Sequence, residues 1–111
     1  MKIKNVLLVI TMLCPIFGFA ASFDCQKAAQ PDEKAICANH VLNDLDVEMA
    51  TKYQFLRGLF AMGTRGTMQD DQRAWLKNRS QCGNDASCLK NVYQQRITQL
   101  DAVYAGIDKP L

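Results

Sequence analysis

The feature that most constrains this chain is its set of cysteines. Four of the five follow residue 20, in two closely spaced pairs: Cys25 with Cys37, and Cys82 with Cys88. An even number of cysteines in a short exported chain indicates disulfides. Four cysteines allow three pairings, and the spacing favours the two local ones, which would stabilise the fold by about 3 and about 2.4 kcal/mol. A zinc site is the alternative, but the C-x2-C pairs typical of zinc are absent.

The start of the chain indicates export. Lys2 and Lys4 precede Val6–Ala20, a stretch of 15 residues without a charge, and Gly18 and Ala20 place small residues before a cut after Ala20. This pattern is typical of a secretory signal peptide. We therefore predict that residues 1–20 are removed and that residues 21–111 form a single domain.

Two alternatives for this segment stay open. An uncleaved membrane anchor is one, although about 20 apolar residues are needed to span a membrane. Lipid attachment at Cys14 is the other, although Leu13 is not the small residue that lipid attachment favours.

The predicted mature domain carries no net charge. Removing twenty of the 111 residues leaves 91, enough for one domain. The loss of Lys2 and Lys4 reduces the basic residues from 13 to 11, which equals the number of acidic residues. A neutral domain lacks the basic surface expected for nucleic acid or for anionic lipid.

Helical periodicity runs through the rest of the chain, and no segment alternates as a strand would. Apolar residues recur every three or four positions, and proline, asparagine, threonine and glycine mark the ends. The predicted helices run from Pro31 to Cys37 or Ala38, from an N-cap at Asn43 to Gly63, from Thr67 to Gly83, and from Asp85–Ser87 to Gly106. The sequence thus predicts an all-α fold: an antiparallel three-helix bundle with a short extra N-terminal helix, stapled by two disulfides.

Catalytic motifs are absent from the sequence. His40 is the only histidine and is predicted to be a solvated loop residue, so a nucleophile has no matching base. The neighbouring acids Asp44/Asp46 and Asp70/Asp71 fall in predicted first turns of helices, where capping and the helix dipole explain them. We predict a protein that is not an enzyme and holds no metal or cofactor.

Two arginines and three methionines mark candidate internal or binding positions. Arg79 and Arg96 lie at the inner edges of apolar stripes, so we expect their stems to pack on Trp75 and Tyr93 and their heads to pair with acids or helix ends. An arginine site for an acidic ligand stays open. Helical spacing places at least Met49 and Met68 in the core, whereas a partner surface that includes Met62 is the alternative.

Motifs spread over most of the mature chain resemble a known family. They are Ser22-Phe23-Asp24-Cys25-Gln26-Lys27-Ala28, Glu33-Lys34-Ala35-Ile36-Cys37, Leu45-Asp46, Tyr53, Gln72-Arg73-Ala74-Trp75-Leu76, Arg79, Cys82, Cys88-Leu89, Tyr93, Arg96-Ile97 and Leu100. The chain resembles the LprI-type lysozyme-inhibitor family of small exported bacterial domains. Pro31 departs from the plain helix former expected there, and no lipid attachment is evident.

The resemblance implies a periplasmic or secreted protein that binds a lysozyme-type cell-wall hydrolase. An immunity or envelope-stress protein that neutralises another periplasmic toxin is the alternative. Gly63–Gly66 is predicted to be an exposed loop, and we expect Thr64, Arg65 and Gly66 to contact the partner. Lysozyme clefts contain two carboxylates, which the cation of Arg65 would meet.

Overall fold

The computed structural model describes residues 21–107, and this part of the chain is all-α. A short 3-10 turn at Cys25–Lys27 precedes four α-helices: α1 (Pro31–Ala38), α2 (His40–Leu59), α3 (Met62–Gln81) and α4 (Ala86–Ala105). The predicted signal segment, with Cys14, lies outside the described residues. The all-α prediction is confirmed.

Helices α2 and α4 form the most extensive pair, and α1 packs mainly on α2. Helix α3 packs less extensively, against α1, α2 and α4. The buried apolar side chains come from all four helices and the N-terminal segment, and they are Ala21, Ile36, Leu42, Met49, Tyr53, Leu56, Met68, Trp75, Leu89, Val92, Tyr93, Ile97 and Leu100. The predicted placement of Met49 and Met68 in the core is confirmed, whereas the antiparallel order of the three long helices stays a prediction.

Both local disulfides are present. Cys25 is bonded to Cys37, which ties the N-terminal segment to α1. Cys82 is bonded to Cys88, which ties the end of α3 to the first turn of α4 across a bend at Gly83, a glycine with φ of +57°. The favoured pairing is therefore confirmed.

The second helix begins earlier than predicted. Asn39, not Asn43, is its N-cap, and its Oδ1 accepts hydrogen bonds from the backbone N–H groups of Val41 and Leu42 at 3.0 and 3.2 Å. Asn43 is buried inside the helix. His40 is exposed, as expected, but it is the first residue of α2 and not part of a loop.

The predicted loop at Gly63–Gly66 is wrong. These residues form the first turn of α3, and the connection from α2 consists of Phe60 and Ala61 alone. Two glycines within four residues predicted a break, since each glycine costs a helix about 1 kcal/mol relative to alanine. In the structure Arg65 of this turn donates hydrogen bonds to the carbonyls of Arg57 and Phe60.

The disulfide pairing has a direct chemical test. Digestion of the unreduced protein should release one peptide pair containing Cys25 with Cys37 and another containing Cys82 with Cys88. Peptide mapping by mass spectrometry identifies them, and a peptide joining Cys25 to Cys82 or Cys88 would contradict the structure.

Trp75 is expected to contribute strongly to stability because its ring is buried. We expect Trp75→Ala to lower the free energy of unfolding by about 3–5 kcal/mol, as aromatic truncations in cores do. Leu76→Ala is a matched control, since Leu76 is the next residue of the same helix and is exposed. Urea unfolding followed by circular dichroism measures both, and equal losses would place Trp75 outside the core.

Candidate functional site

A cluster of charged and polar side chains lies inside the helical domain. Asp46 and Tyr93 are fully buried, and Arg79 is nearly so. The Tyr93 hydroxyl donates a hydrogen bond to Asp46 Oδ1 at 2.7 Å, and Arg79 Nη1 donates to the Tyr93 hydroxyl oxygen at 3.2 Å. Arg79 Nη1 also lies 3.9 Å from Asp46 Oδ1. One acid, one phenol and one guanidinium thus join α2, α3 and α4.

The same cluster holds α1 and the N-terminal segment. Arg79 Nε donates to Asp32 Oδ2 of α1 at 2.9 Å, and Asp32 is also buried. The backbone N–H of Ser22 donates to Asp46 Oδ2 at 2.6 Å. We call Asp32, Asp46, Arg79 and Tyr93 the buried charge network.

Aromatic rings cover the guanidinium of Arg79. Its Cζ lies 5.6 Å from the ring centre of Phe23 and 5.8 Å from that of Trp75, within cation–π range. Trp75 meets the ring of Tyr93 edge-on at 5.1 Å and donates its indole N–H to the carbonyl of Val92 at 3.2 Å. The prediction that Arg79 packs on aromatic residues and pairs with acids is confirmed.

The environment keeps both titratable partners of the carboxylates in their ordinary protonation states. Burial raises the pKa of Tyr93, and the nearby Asp46 adds to that effect. Burial alone would lower the pKa of Arg79, but the oxygens of Tyr93 and Asp32 outweigh it and the pKa is raised. Tyr93 therefore stays a phenol and Arg79 a cation near neutral pH.

Arg96 has different partners from those predicted. Its Nε donates to Gln72 Oε1 at 3.1 Å and its Nη1 donates to Gln99 Oε1 at 3.3 Å. Amide oxygens, and not acids or helix ends, therefore receive its hydrogen bonds. Burial lowers the pKa of Arg96, an effect that nearby Asp71 opposes.

The predicted role of the neighbouring acids is also wrong. Asp46 lies in the second turn of α2 and belongs to the buried charge network, whereas Asp44 is exposed. Asp70 and Asp71 lie in the third turn of α3, since that helix begins at Met62. Asp70 forms an exposed ion pair with Arg73 at 3.3 Å.

Arg65 does not extend from a loop toward solvent. Its Nε donates to the carbonyl of Arg57 at 3.2 Å and its Nη2 donates to the carbonyl of Phe60 at 3.3 Å. The side chain thus satisfies carbonyls at the C-terminal end of α2, groups that have no partner within their own helix. Whether Thr64, Arg65 and Gly66 contact a partner stays a prediction, but they are not a protruding tip.

Exposed apolar side chains gather where α2 ends. Phe55 is 58% exposed, Leu59 51%, Met62 85% and Tyr104 of α4 44%. Phe55 and Leu59 are one helical turn apart, and the rings of Phe55 and Tyr104 lie 6.2 Å apart. We call these four residues the apolar corner.

A shallow pocket opens between the two helices at the apolar corner. Its volume is about 200 Å³, and Leu56 and Leu100 form apolar parts of its lining beside Phe55 and Tyr104. The same pocket is lined by Lys52, whose Nζ lies 2.7 Å from Asp101 Oδ1 and 3.1 Å from Glu48 Oε2. The hydrogen bond to Asp101 raises the pKa of Lys52. An apolar surface with a charged edge is typical of a protein-binding site.

The sequence predicted the aromatic and acidic partners of Arg79, but it missed the burial of Asp46 and the exposure of Phe55 and Leu59. Asp46 falls within the polar and apolar alternation of α2 as an ordinary helical acid, and no local signal marks it as buried. Phe55 and Leu59 continue the apolar spacing of α2, but their side chains are exposed, as is that of Met62, the first residue of α3.

The chain belongs to a family of inhibitors. The sequence profile of the family described as "Lysozyme inhibitor LprI" matches residues 25–100. The match includes all four disulfide cysteines and the whole buried charge network. The resemblance found from the motifs is confirmed.

Individual relatives are more distant. Proteins named Lipoprotein LprI from Mycobacterium bovis and Mycobacterium tuberculosis are 29% identical to this chain over 82 residues, covering 71% of this chain and 40% of theirs. The chain thus spans less than half the length of these relatives. No solved structure matches the chain. Of the helices between residues 21 and 107, none is long and apolar enough to cross a membrane.

The buried charge network predicts a large difference between two arginines of α3. Arg79→Met leaves two buried carboxylates without their cation, and we expect a loss of about 3–5 kcal/mol in the free energy of unfolding. Arg73→Met removes an exposed ion pair and should cost less than about 1 kcal/mol. Urea unfolding compares the two variants, and similar losses would show that the network contributes little to stability.

Proposed function

We propose that this chain is an exported protein-binding domain that inhibits a lysozyme-type cell-wall hydrolase. The observation that carries the proposal is the match of residues 25–100 to an inhibitor family. The match covers 40% of the length of the named relatives. An activity of those full-length proteins is therefore proposed for this chain. Two disulfides support a location in the periplasm or outside the cell, because disulfides persist in oxidising compartments.

The apolar corner is the surface that we assign to the partner. Phe55 and Tyr104 supply exposed aromatic area, and Leu59 and Met62 extend it across the end of α2. Rigid aromatic side chains carry a large share of binding energy in protein interfaces. Exposed apolar patches on small exported domains mark interaction sites, since water contact with such a patch is unfavourable.

Charge supports an apolar rather than an electrostatic mode of binding. The predicted mature domain is formally neutral, with 11 acidic and 11 basic residues after Ala20. Long-range steering toward a cationic enzyme would need a net negative field. Lys52 is already paired with Asp101 and Glu48, so the charged edge of the corner contributes selectivity more than attraction.

The decisive experiment is an activity titration with the exported, processed protein against lysozymes of several types. We expect inhibition of at least one type in a saturable manner. A chain that inhibits none of them, and that instead binds another toxin delivered to the periplasm, would favour the immunity or envelope-stress alternative.

The binding surface is tested by paired substitutions on α2. We expect Phe55→Ser to weaken inhibition at least about tenfold, as truncation of an aromatic anchor does in other interfaces, with little change in melting temperature because Phe55 is exposed. Val41→Ser is the matched control, since Val41 is an apolar residue of the same helix with a similar exposure of 55%. If Phe55→Ser inhibits as well as the parent and Arg65→Ala does not, the contact lies at the first turn of α3 instead.

A further inference from the structure

The buried charge network contains more negative than positive charge. Asp32 and Asp46 are both buried, and among residues 21–107 the only cation that bonds them is Arg79. Glu33 lines the groove that also contains Ser22 and Arg79, which adds a third acid nearby. Burying a carboxylate without a compensating cation is costly, so a second positive group is expected close to Asp46.

The N-terminal segment lies against the carboxylate that lacks a close cation. Ser22 N donates to Asp46 Oδ2 at 2.6 Å, while Arg79 reaches only the other oxygen of Asp46, at 3.9 Å. Ala21 is buried, with 6% of its surface exposed. Three covalent bonds separate the nitrogen of Ala21 from that of Ser22, so the Ala21 nitrogen lies within about 4 Å of Ser22 N and about 6 Å of the carboxylate.

The sequence places the predicted cut immediately before this residue. Hydrolysis of the Ala20–Ala21 peptide bond consumes one water, leaves a carboxylate on Ala20 and frees the amine of Ala21. That amine takes up a proton at neutral pH and becomes an ammonium with three donors. In the uncut chain the same nitrogen is a neutral amide with one N–H.

We propose that the α-ammonium of Ala21, created by cleavage after Ala20, binds the buried Asp46 carboxylate and completes the charge network. Asp46 is then the binding site for the mature N-terminus of this chain. Only the processed protein then has two cations for the two carboxylates that join the helices. Full stability follows export and cleavage, independently of which partner the domain binds.

Chemical modification of one atom provides the test. The full chain is expressed with its own leader in a bacterium, purified from the periplasm and checked by intact mass for a start at Ala21. Acetylation at mildly acidic pH neutralises the α-amine, whereas reductive dimethylation under the same conditions keeps its charge. We expect acetylation to lower the folded-to-unfolded equilibrium constant at least about tenfold, as loss of a hydrogen bond to a charged group does, and dimethylation to change it much less.

The pH dependence gives a second, direct measurement. Pairing raises the pKa of the amine above the ordinary value of about 7.7–8.0. The stabilisation is therefore fully present below that value and is lost as the pH rises through the higher folded pKa. Carbon-13 dimethylation allows the amine to be titrated by NMR. The charged and titratable groups linked to Asp46 are Asp32 of α1, Arg79 of α3 and Tyr93 of α4, and Glu33 of α1 lines the groove beside Ser22 and Arg79.

Three outcomes would overturn the proposal. They are a purified chain that starts elsewhere than at Ala21, equal stability of the acetylated and dimethylated proteins, and titration of the amine at its ordinary value. Asp46→Asn provides the cross-check, because acetylation should then no longer reduce stability. Should that variant not fold, the NMR titration of the parent protein decides the question alone.

Discussion

The hydrogen bond between Tyr93 and Asp46 is the contact on which the rest of this domain depends. It joins the two helices with the most extensive packing, and both of its residues are fully buried. Arg79 then connects this pair to Asp32, and the backbone of Ser22 closes the other side of Asp46. Five separate segments of a short chain are thereby held in one relative position.

Burying such a network costs desolvation free energy, but its hydrogen bonds form in only one arrangement of the helices. Replacing a buried ion pair by apolar residues is often neutral or stabilising, so charge burial by itself is weak support for stability. In this domain the buried charge network determines how the helices are arranged relative to one another. Apolar stripes on short helices can slide or rotate against each other, whereas Asp46 and Tyr93 bond only when α2 and α4 adopt one register. Among residues 21–107, no buried side-chain polar atom is left without a partner.

Local chemistry in the sequence predicted the elements of this fold well. Proline and acids at the start of α1, Asp85 at the start of α4 and the cysteine spacing all act within a few residues, and each prediction is confirmed. The failures involve contacts distant in sequence. Arg65 donates hydrogen bonds to the carbonyls of Arg57 and Phe60, and Asp46 accepts one from Tyr93, which lies 47 positions away. Neither effect has a signal in the local pattern.

The two ends of the domain differ in a way that bears on binding. The charge network and the Cys82–Cys88 disulfide lie near the end of α3 and the start of α4, whereas the apolar corner lies where α2 ends and α3 begins. Leu59 follows Asp46 by 13 residues of one helix, which is about 20 Å at 1.5 Å per residue. Effects of substitutions this far apart are generally additive. The buried polar contacts are therefore grouped away from the exposed apolar area, so substitutions in the apolar corner leave the contacts that determine the fold in place.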